Sequence, residues 1–265
     1  MLKDFSKEKF DILIQAGQSN SEGYGFGNVC NPYEVNDRVW YFNGDGTFQM
    51  AQEKVQNNGI QSNFALAFAS DYISEGMLDD DRKLLILRTA VGGTGFSDNR
   101  WKSTDDLYLR MMDMVKTVLA LNPENRLKAL LWHQGETDAM NQVTFEYYYA
   151  HITTLVNNVR TVFSVPTLPF IAGDFVPLWK SKNEEKCAPV IDALKTVCND
   201  EYSAFVETTG LDSNFEDGYP HPLGWDSDDI HFCRRAIYRL GERYFTAYRT
   251  TLKLTHNQAN ITEPI

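Results

Sequence analysis

Residues 10–20 read FDILIQAGQSN, an apolar run that ends in a glycine and a short polar segment. An apolar run of this length predicts a buried β-strand, and the glycine after it permits a sharp turn. Similar runs follow at residues 84–89, 127–132, 168–172 and 204–206. We therefore predict buried parallel strands, the first of which begins at residue 10.

Segments with helical periodicity separate these runs, at residues 63–74, 107–118, 144–163, 184–197 and 234–252. Repeated strand–helix alternation favours βαβ crossovers and a sheet that is covered on both faces. We predict a three-layer α/β/α sandwich with a central parallel sheet of about five strands, in one domain over residues 1–265. Residues 28–60 are less regular, with a possible short strand at 38–42, and we expect an excursion over the site.

Composition excludes several classes of protein. Apolar residues make up 43% of the chain and the net charge is −11, so a sizeable core is expected and nucleic acid is an unsuitable partner. Residues 1–10 lack the apolar centre of a signal peptide, and no apolar run approaches a membrane span. We expect a cytoplasmic protein. Its four cysteines show no CxxC pairing, which favours free buried thiols.

Ser19 follows the first predicted strand, at the edge where a doubly wound sheet binds its ligands. Backbone N–H groups after it can face a developing oxyanion. The same segment also fits a plain strand-to-helix turn in which Ser19 or Asn20 caps a helix. The glycines that follow do not form GxGxxG, so a nucleotide-binding loop is a poor fit.

Residues 228–231 read DDIH and precede the C-terminal helical segment. An aspartate three residues before a histidine can hold its Nδ1 and leave Nε2 to accept the proton of a serine. We prefer Asp228 for this spacing, and Asp226 and Asp229 are alternatives. An aspartate at this place is also a common helix cap.

Residues 132–138 read WHQGETD and end the predicted strand 127–132. They bring polar groups to the edge that holds Ser19. Metal binding by His133, Glu136 and Asp138 is an alternative, but the HExxH spacing of zinc sites is absent. Glu136 and Asp138 also suit the N-terminus of the next helix.

Residues 91–95 read VGGTG and follow another predicted strand. Paired glycines expose backbone N–H groups and let a substrate approach, which suits an oxyanion hole. An ordinary flexible loop has the same composition.

In chain order, the four segments are GQSN at residues 17–20, GGT at 92–94, HQGETD at 133–138 and DxxHF at 228–232. Together they resemble the SGNH/GDSL hydrolase superfamily, and most closely its sialate O-acetylesterase-like and acetylxylan esterase-like branch, carbohydrate esterase family 6. The resemblance implies a flavodoxin-like SGNH fold and deacetylation without a metal or other cofactor. It also implies a triad of Ser19, His231 and Asp228. The implied oxyanion hole consists of the N–H groups of Ser19 and Gly93 and the side-chain amide of Gln134.

The sequence departs from the wider superfamily at two places. HQGE stands where an Asn-containing block is usual, which shifts the expected substrate from lipids to carbohydrates. Ser21 and Glu22 replace the Met-Ala that the family suggests, which affects the acyl pocket. We assign substrate binding to Gln18, Asn20, Thr94, Trp101, His133 and Glu136.

Further aromatic and cationic residues are candidates for contact with a sugar. Tyr24, Trp101 and Trp225 could stack on a sugar face. Arg100 and Lys102 could pair with a substrate carboxylate, although a solvated loop is the simpler interpretation.

We therefore expect a serine esterase that removes O-acetyl groups from a small carbohydrate or oligosaccharide, such as acetylated xylan-type sugars or O-acetylated sialic acid. Two alternatives are a short-chain lipid or thioester hydrolase of the same superfamily and a catalytically silent sugar-binding homologue. The sequence does not indicate an oligomeric state.

Overall fold

The computed structural model describes residues 4–28, 33–56, 59–219, 224 and 227–259. A seven-stranded sheet lies at its centre and is parallel except for one edge strand. In chain order its strands are β1 Phe10–Gly17, β3 Val39–Phe42, β4 Phe48–Met50, β7 Lys83–Arg88, β8 Arg126–His133, β9 Phe170–Gly173 and β10 Ser203–Val206. A small antiparallel sheet contains β2 Gly25–Gly27, β5 Lys54–Gln56 and β6 Gly59–Ser62.

Helices flank the central sheet, and α2 packs against α9 while α5 packs against α7. Within the described ranges the helices are α1 Ser19–Glu22, α2 Phe64–Ser74, α3 Asp106–Leu121, α4 Glu136–Met140, α5 Phe145–Val162, α6 Pro177–Lys182, α7 Glu184–Val197, α8 Asn214–Asp217 and α9 Arg234–Ala259. The predicted α/β architecture with a mostly parallel sheet is confirmed, as are its five main strands.

The possible short strand at residues 38–42 is confirmed as β3 Val39–Phe42, but the number of strands and the rest of the path of residues 28–60 differ from the prediction. This segment adds β3 and the antiparallel β4 to the edge of the central sheet, and its later part forms β5 and β6. These strands are three or four residues long, and β4 is largely exposed. Strands of this kind lack the long apolar run on which the prediction depended.

Strand order places a crevice beside β1. The sheet runs in the order β10-β9-β8-β1-β7-β3-β4. The chain leaves β1 toward β3 on one side and leaves β8 toward β9 on the other. Ligands of such sheets bind beyond the carboxyl ends of strands that diverge in this way. The structure therefore provides a ligand crevice between the ends of β1 and β8.

The core covers both faces of the sheet. Every residue of β1 is buried, and α3 presents Met111, Val115 and Val118 to the interior. Among the described cysteines, Cys187 and Cys233 are buried and Cys198 is half-buried, and all three are free thiols. Cys30 lies outside the described residues. Within these residues, no helix combines the length and apolar character that crossing a membrane requires.

Candidate active site

The end of β1 fixes the position of Ser19. Gly17 has a φ of +127°, and a Cβ there would collide with the carbonyl oxygen of His133 on β8. The next backbone N–H, that of Gln18, donates to the same carbonyl at 3.0 Å. Only glycine lets the two strands approach this closely while the chain turns. Ser19 therefore begins α1 at the mouth of the crevice.

Ser19, His231 and Asp228 form a continuous chain of hydrogen bonds. The Nε2 atom of His231 lies 2.9 Å from the Ser19 Oγ, and its Nδ1 lies 2.7 Å from Oδ1 of Asp228. All three residues are buried, with 4–7% of their surface exposed. The carboxylate favours a proton on Nδ1, which leaves Nε2 free to accept one from the hydroxyl.

Asn214 completes the surroundings of Asp228. Its side-chain amide donates to Oδ2 of Asp228 at 2.7 Å, and the N–H of Phe215 donates to the Asp228 carbonyl at 2.9 Å. The sequence prediction missed Asn214. The S-x-x-E pattern of residues 213–216 signals the helix start that carries it, and the structure has this capping box, but the pattern does not reveal what Asn214 contacts.

Asp226 and Asp229 were the alternatives to Asp228 as the partner of His231. Asp229 forms an ion pair with Lys182 at 2.8 Å, on the outside of the same loop. Asp226 lies outside the described residues, as does Trp225, one of the aromatic candidates for contact with a sugar.

Asn20 links the serine turn to the histidine loop. Its amide donates to the carbonyl of Ile230 at 2.9 Å, and its Oδ1 accepts from the N–H of Phe232 at 3.1 Å. The same amide donates to Glu136 at 2.8 Å. Asn20 is completely buried, so the predicted substrate contact is wrong for this residue. It instead holds both neighbours of His231 in place.

A cavity of about 640 Å³ opens above Ser19 and His231. Among the predicted binding residues, Gln18 and Glu136 line it and the others do not. Burial raises the pKa of Glu136, which favours its neutral form. Tyr24 also lines the cavity and stacks on the His231 ring, with 5.0 Å between ring centroids. Apolar contacts come from Val91, Met140 and Ile230.

Buried hydrogen bonds hold the loop at residues 91–95, after β7, in place. The Thr94 hydroxyl donates to the Val91 carbonyl at 2.7 Å and accepts from the Trp101 indole at 2.9 Å. Thr94 and Trp101 are buried, with 2% and 0% exposed. The predicted substrate contacts of these two residues are therefore wrong, because both side chains point into the protein. They hold the loop that presents Gly93.

Gln134 has no amide hydrogen left for a ligand. Its Nε2 lies 2.8 Å from Oδ2 of Asp138, 3.1 Å from the Thr94 carbonyl and 3.2 Å from Oε1 of Gln18. Its Oε1 accepts from the Tyr148 hydroxyl, and the residue is completely buried. The geometry contradicts the predicted place of this amide in the oxyanion hole.

The side-chain amide of Gln18, unlike that of Gln134, can donate a hydrogen bond into the cavity. Its Oε1 accepts from Gln134 and, at 3.2 Å, from the N–H of Thr137. These contacts fix the amide plane, and within the described chain its Nε2 has no hydrogen-bond partner. Because Gln18 lines the cavity, this N–H₂ group is a donor available to a ligand.

His133 is also structural. It is completely buried, and burial lowers its pKa to about 3. Its Nδ1 lies 2.9 Å from the Tyr244 hydroxyl, which donates to the Trp132 carbonyl. Nδ1 therefore donates to that hydroxyl, and the predicted substrate contact is wrong.

The suggested metal ligands have separate partners. The carboxylate of Asp138 accepts from the N–H groups of Phe96 and Ser97, while Glu136 contacts Asn20. No group of three metal-binding side chains occurs in the part of the chain that the structure describes.

Solved structures share this fold. NanS superposes with a TM-score of 0.78 at 18% identity, over 94% of this chain and 99% of NanS. An Arabidopsis thaliana protein superposes with a TM-score of 0.69 at 21% identity, over 91% of this chain and 98% of that protein. A carbohydrate acetylesterase from Xanthomonas citri gives 0.62 at 15% identity, over 91% of this chain and 56% of that one. At these identities the likeness establishes the fold, which is the SGNH-hydrolase fold that the sequence motifs predict.

Sequence comparison identifies the family. The chain belongs to the carbohydrate esterase, sialic acid-specific acetylesterase family, whose profile matches residues 9–250. This is a family of carboxylic ester hydrolases, as predicted. A probable carbohydrate esterase of Arabidopsis thaliana is 26% identical over 182 residues, which are 60% of this chain and 66% of that relative.

Proposed function

We propose that the protein is a serine esterase that removes O-acetyl groups from carbohydrates. The observation that carries this proposal is the hydrogen-bond chain from Ser19 through His231 to Asp228 at the floor of an open cavity. A protein that only binds sugars has no need of a nucleophile aligned with a base. Membership of a carbohydrate esterase family supports the same conclusion.

In the proposed reaction, the Ser19 oxygen attacks the acetyl carbonyl while His231 Nε2 takes the hydroxyl proton. Asp228 stabilises the imidazolium that forms. His231 then gives the proton to the sugar oxygen as the ester bond breaks, and an acetyl group remains on Ser19. Water, activated by His231, releases acetate in a second, equivalent sequence.

Three donors are proposed to stabilise the oxyanion: the N–H groups of Ser19 and Gly93 and the Nε2 of Gln18. Neither backbone N–H has an acceptor within the described residues. Gly93 has a φ of +68°, and the space beside its Cα is open, so a substrate can approach the N–H without obstruction. Gln134 contributes by orienting Gln18.

Acetate release tests the proposed activity. We expect the protein to release acetate from acetylated xylan fragments or from O-acetylated sialic acid, and to cleave p-nitrophenyl acetate. Octanoyl esters should react much more slowly, because the family that the chain belongs to is described as one of acetylesterases. A preference for octanoyl esters would favour the lipase alternative, and no cleavage of any ester would favour a sugar-binding homologue.

We expect different effects from substitutions at Gln18 and at Gln134. Replacing Gln18 with alanine should lower kcat for p-nitrophenyl acetate by about 10²–10³. It also leaves the N–H of Thr137 without its acceptor, so a destabilisation of about 1 kcal/mol should accompany the loss of activity. Replacing Gln134 with alanine leaves buried groups of Asp138 and Thr94 unpaired, so its main effect should be a destabilisation of about 1–3 kcal/mol.

Gln18→Glu sharpens this comparison. The variant keeps the acceptor that Gln134 and Thr137 use, but replaces the donor with a charge that repels the oxyanion, so activity should fall at least as far as in Gln18→Ala. The assignment would be overturned if Gln134→Ala lost activity at unchanged Tm while Gln18→Ala stayed active.

A further inference from the structure

The glycine loop, which comprises residues 91–95, carries the N–H of Gly93 that is proposed to stabilise the oxyanion. Gly92 is half-buried and Gly93 is exposed, and a Cβ at Gly93 would meet no atom within 4 Å. Neither glycine has a side chain that could pack against the protein. The position of the Gly93 N–H therefore depends on the hydrogen bonds that the loop makes.

Within the described chain, Gly92 and Gly93 make a single hydrogen bond, and its acceptor is Glu22. The carboxylate of Glu22 accepts from the N–H of Gly92 through Oε2, at 2.7 Å. The next anchors lie outside the pair: the Val91 N–H donates to the carbonyl of Gly17, and Thr94 is held by its hydroxyl. Hydrogen bonds to a carboxylate are stronger than those between neutral groups, so Glu22 is well suited to hold the exposed part of this loop.

Glu22 belongs to the same short helix as the proposed nucleophile. It is the last residue of α1, and its N–H donates to the carbonyl of Gln18 at 2.8 Å. Arg88 donates to the backbone carbonyl of Glu22 at 2.8 Å, which fixes the end of this helix. A Cβ at Gly92 would lie 3.3 Å from Oε2 of Glu22 and 3.5 Å from the Cβ of Ser19. Glu22 therefore ties the loop with the proposed oxyanion donor to the helix with the proposed nucleophile.

The negative charge of Glu22 would by itself oppose an oxyanion that forms nearby, because like charges repel. Two cations reduce this effect. Arg88, at the end of β7, and Arg110, on α3, line a cavity of about 250 Å³ together with Glu22. Their positive charges offset that of the carboxylate, so Glu22 can act as an acceptor at a reduced electrostatic cost.

We propose that Glu22 is a positioning residue, which holds the N–H of Gly92 and thereby places the N–H of Gly93 against the carbonyl oxygen of the bound acetyl group. This proposal rests on the proposed esterase function. The family resemblance suggests alanine at residue 22, and an alanine side chain cannot accept a hydrogen bond, so the role is not among those that the resemblance implies. An oxyanion donor must lie about 2.7–3.1 Å from the place where the charge develops, so its positioning affects the rate.

The test compares Glu22→Ala with Glu22→Gln. Glu22→Ala removes the acceptor and should lower kcat for p-nitrophenyl acetate about 10- to 100-fold. KM should not change, because the oxyanion exists only after the ground state. Glu22→Gln keeps an acceptor oxygen for Gly92 and should recover most of this loss. Phenylboronic acid, which forms a tetrahedral adduct with a reactive serine, should bind Glu22→Ala more weakly by about the factor by which kcat falls.

Asp98→Ala is the matched control. Oδ1 of Asp98 accepts from the N–H of Gly95 at 2.9 Å, so this carboxylate holds the same loop by the same kind of contact, two residues beyond Gly93. Its removal should perturb the loop without moving the proposed donor. We expect Asp98→Ala to keep kcat within about threefold of the unmodified protein.

The outcomes separate the two proposals. The positioning role is overturned if Glu22→Ala keeps its kcat and its affinity for phenylboronic acid, if it changes only KM, if Glu22→Gln is equally impaired, or if Asp98→Ala loses as much activity. In each of these cases, Ser19-dependent cleavage of p-nitrophenyl acetate by the unmodified protein still supports the esterase. If the unmodified protein cleaves no ester, the esterase proposal fails and the positioning role fails with it.

Discussion

Replacing Ser19 with alanine is expected to lower kcat for acetate release by about 10⁶. The loss is this large because, in the proposed mechanism, the Ser19 hydroxyl oxygen forms the acetyl-enzyme. Residual hydrolysis should reflect the oxyanion donors acting on water. Steady-state assays with p-nitrophenyl acetate, and mass spectrometry of the trapped acetyl-enzyme, provide the measurement.

Ser21 supplies the matched control. It lies two residues further along α1, is completely buried and has a hydroxyl without a hydrogen-bond partner in the described structure. Ser21→Ala removes the same atom from the same helix, so activity should remain within about threefold, as for changes that break no interaction. Comparable losses in the two variants would mean that the Ser19 result reflects local folding and not chemistry.

Replacing Asp228 with asparagine is expected to lower kcat by about 10⁴. Asn214 donates to Oδ2 of Asp228, so the new amide should turn its oxygen toward Asn214 and its N–H₂ toward His231. Nδ1 of His231 would then have to accept, which places the ring proton on Nε2. In that tautomer the imidazole cannot take the proton of Ser19.

Asp229→Asn tests the neighbouring carboxylate. Asp229 is paired with Lys182, whose side chain is 54% exposed, and exposed ion pairs contribute little. This variant should therefore keep nearly full activity. If Asp229→Asn were the more damaging change, the orientation of His231 would have to depend on a different loop arrangement from the one described.

Much of the fold could be predicted because its five main strands are buried on both faces and are therefore continuous apolar runs. The strand β1 is the clearest of these. The other strands could not be predicted in this way. The residues of β4 are mostly exposed, and β2 exists because it pairs with β6, a partner more than thirty positions away in the sequence.

The residues of the candidate site could also be predicted only in part. The contacts among Ser19, Asp228 and His231 could be anticipated because each residue lies at an element boundary with a spacing that suits the proposed chemistry. Trp101 and Gln134 were misassigned because sequence position places a side chain near an edge but does not say whether it points into the cavity or the core. Asn214 was missed because its contact with Asp228 arises only from packing.

The contact between Ser19 and His231 joins residues 212 positions apart, and it has a consequence for biosynthesis. During synthesis, Ser19 leaves the ribosome 212 residues before His231, which is the proposed base. A nascent chain that already contains β1, α1 and the glycine loop therefore still lacks its proton acceptor. Under the proposed function, ester cleavage should therefore begin only once the segment that carries His231 has folded against β1 and α1.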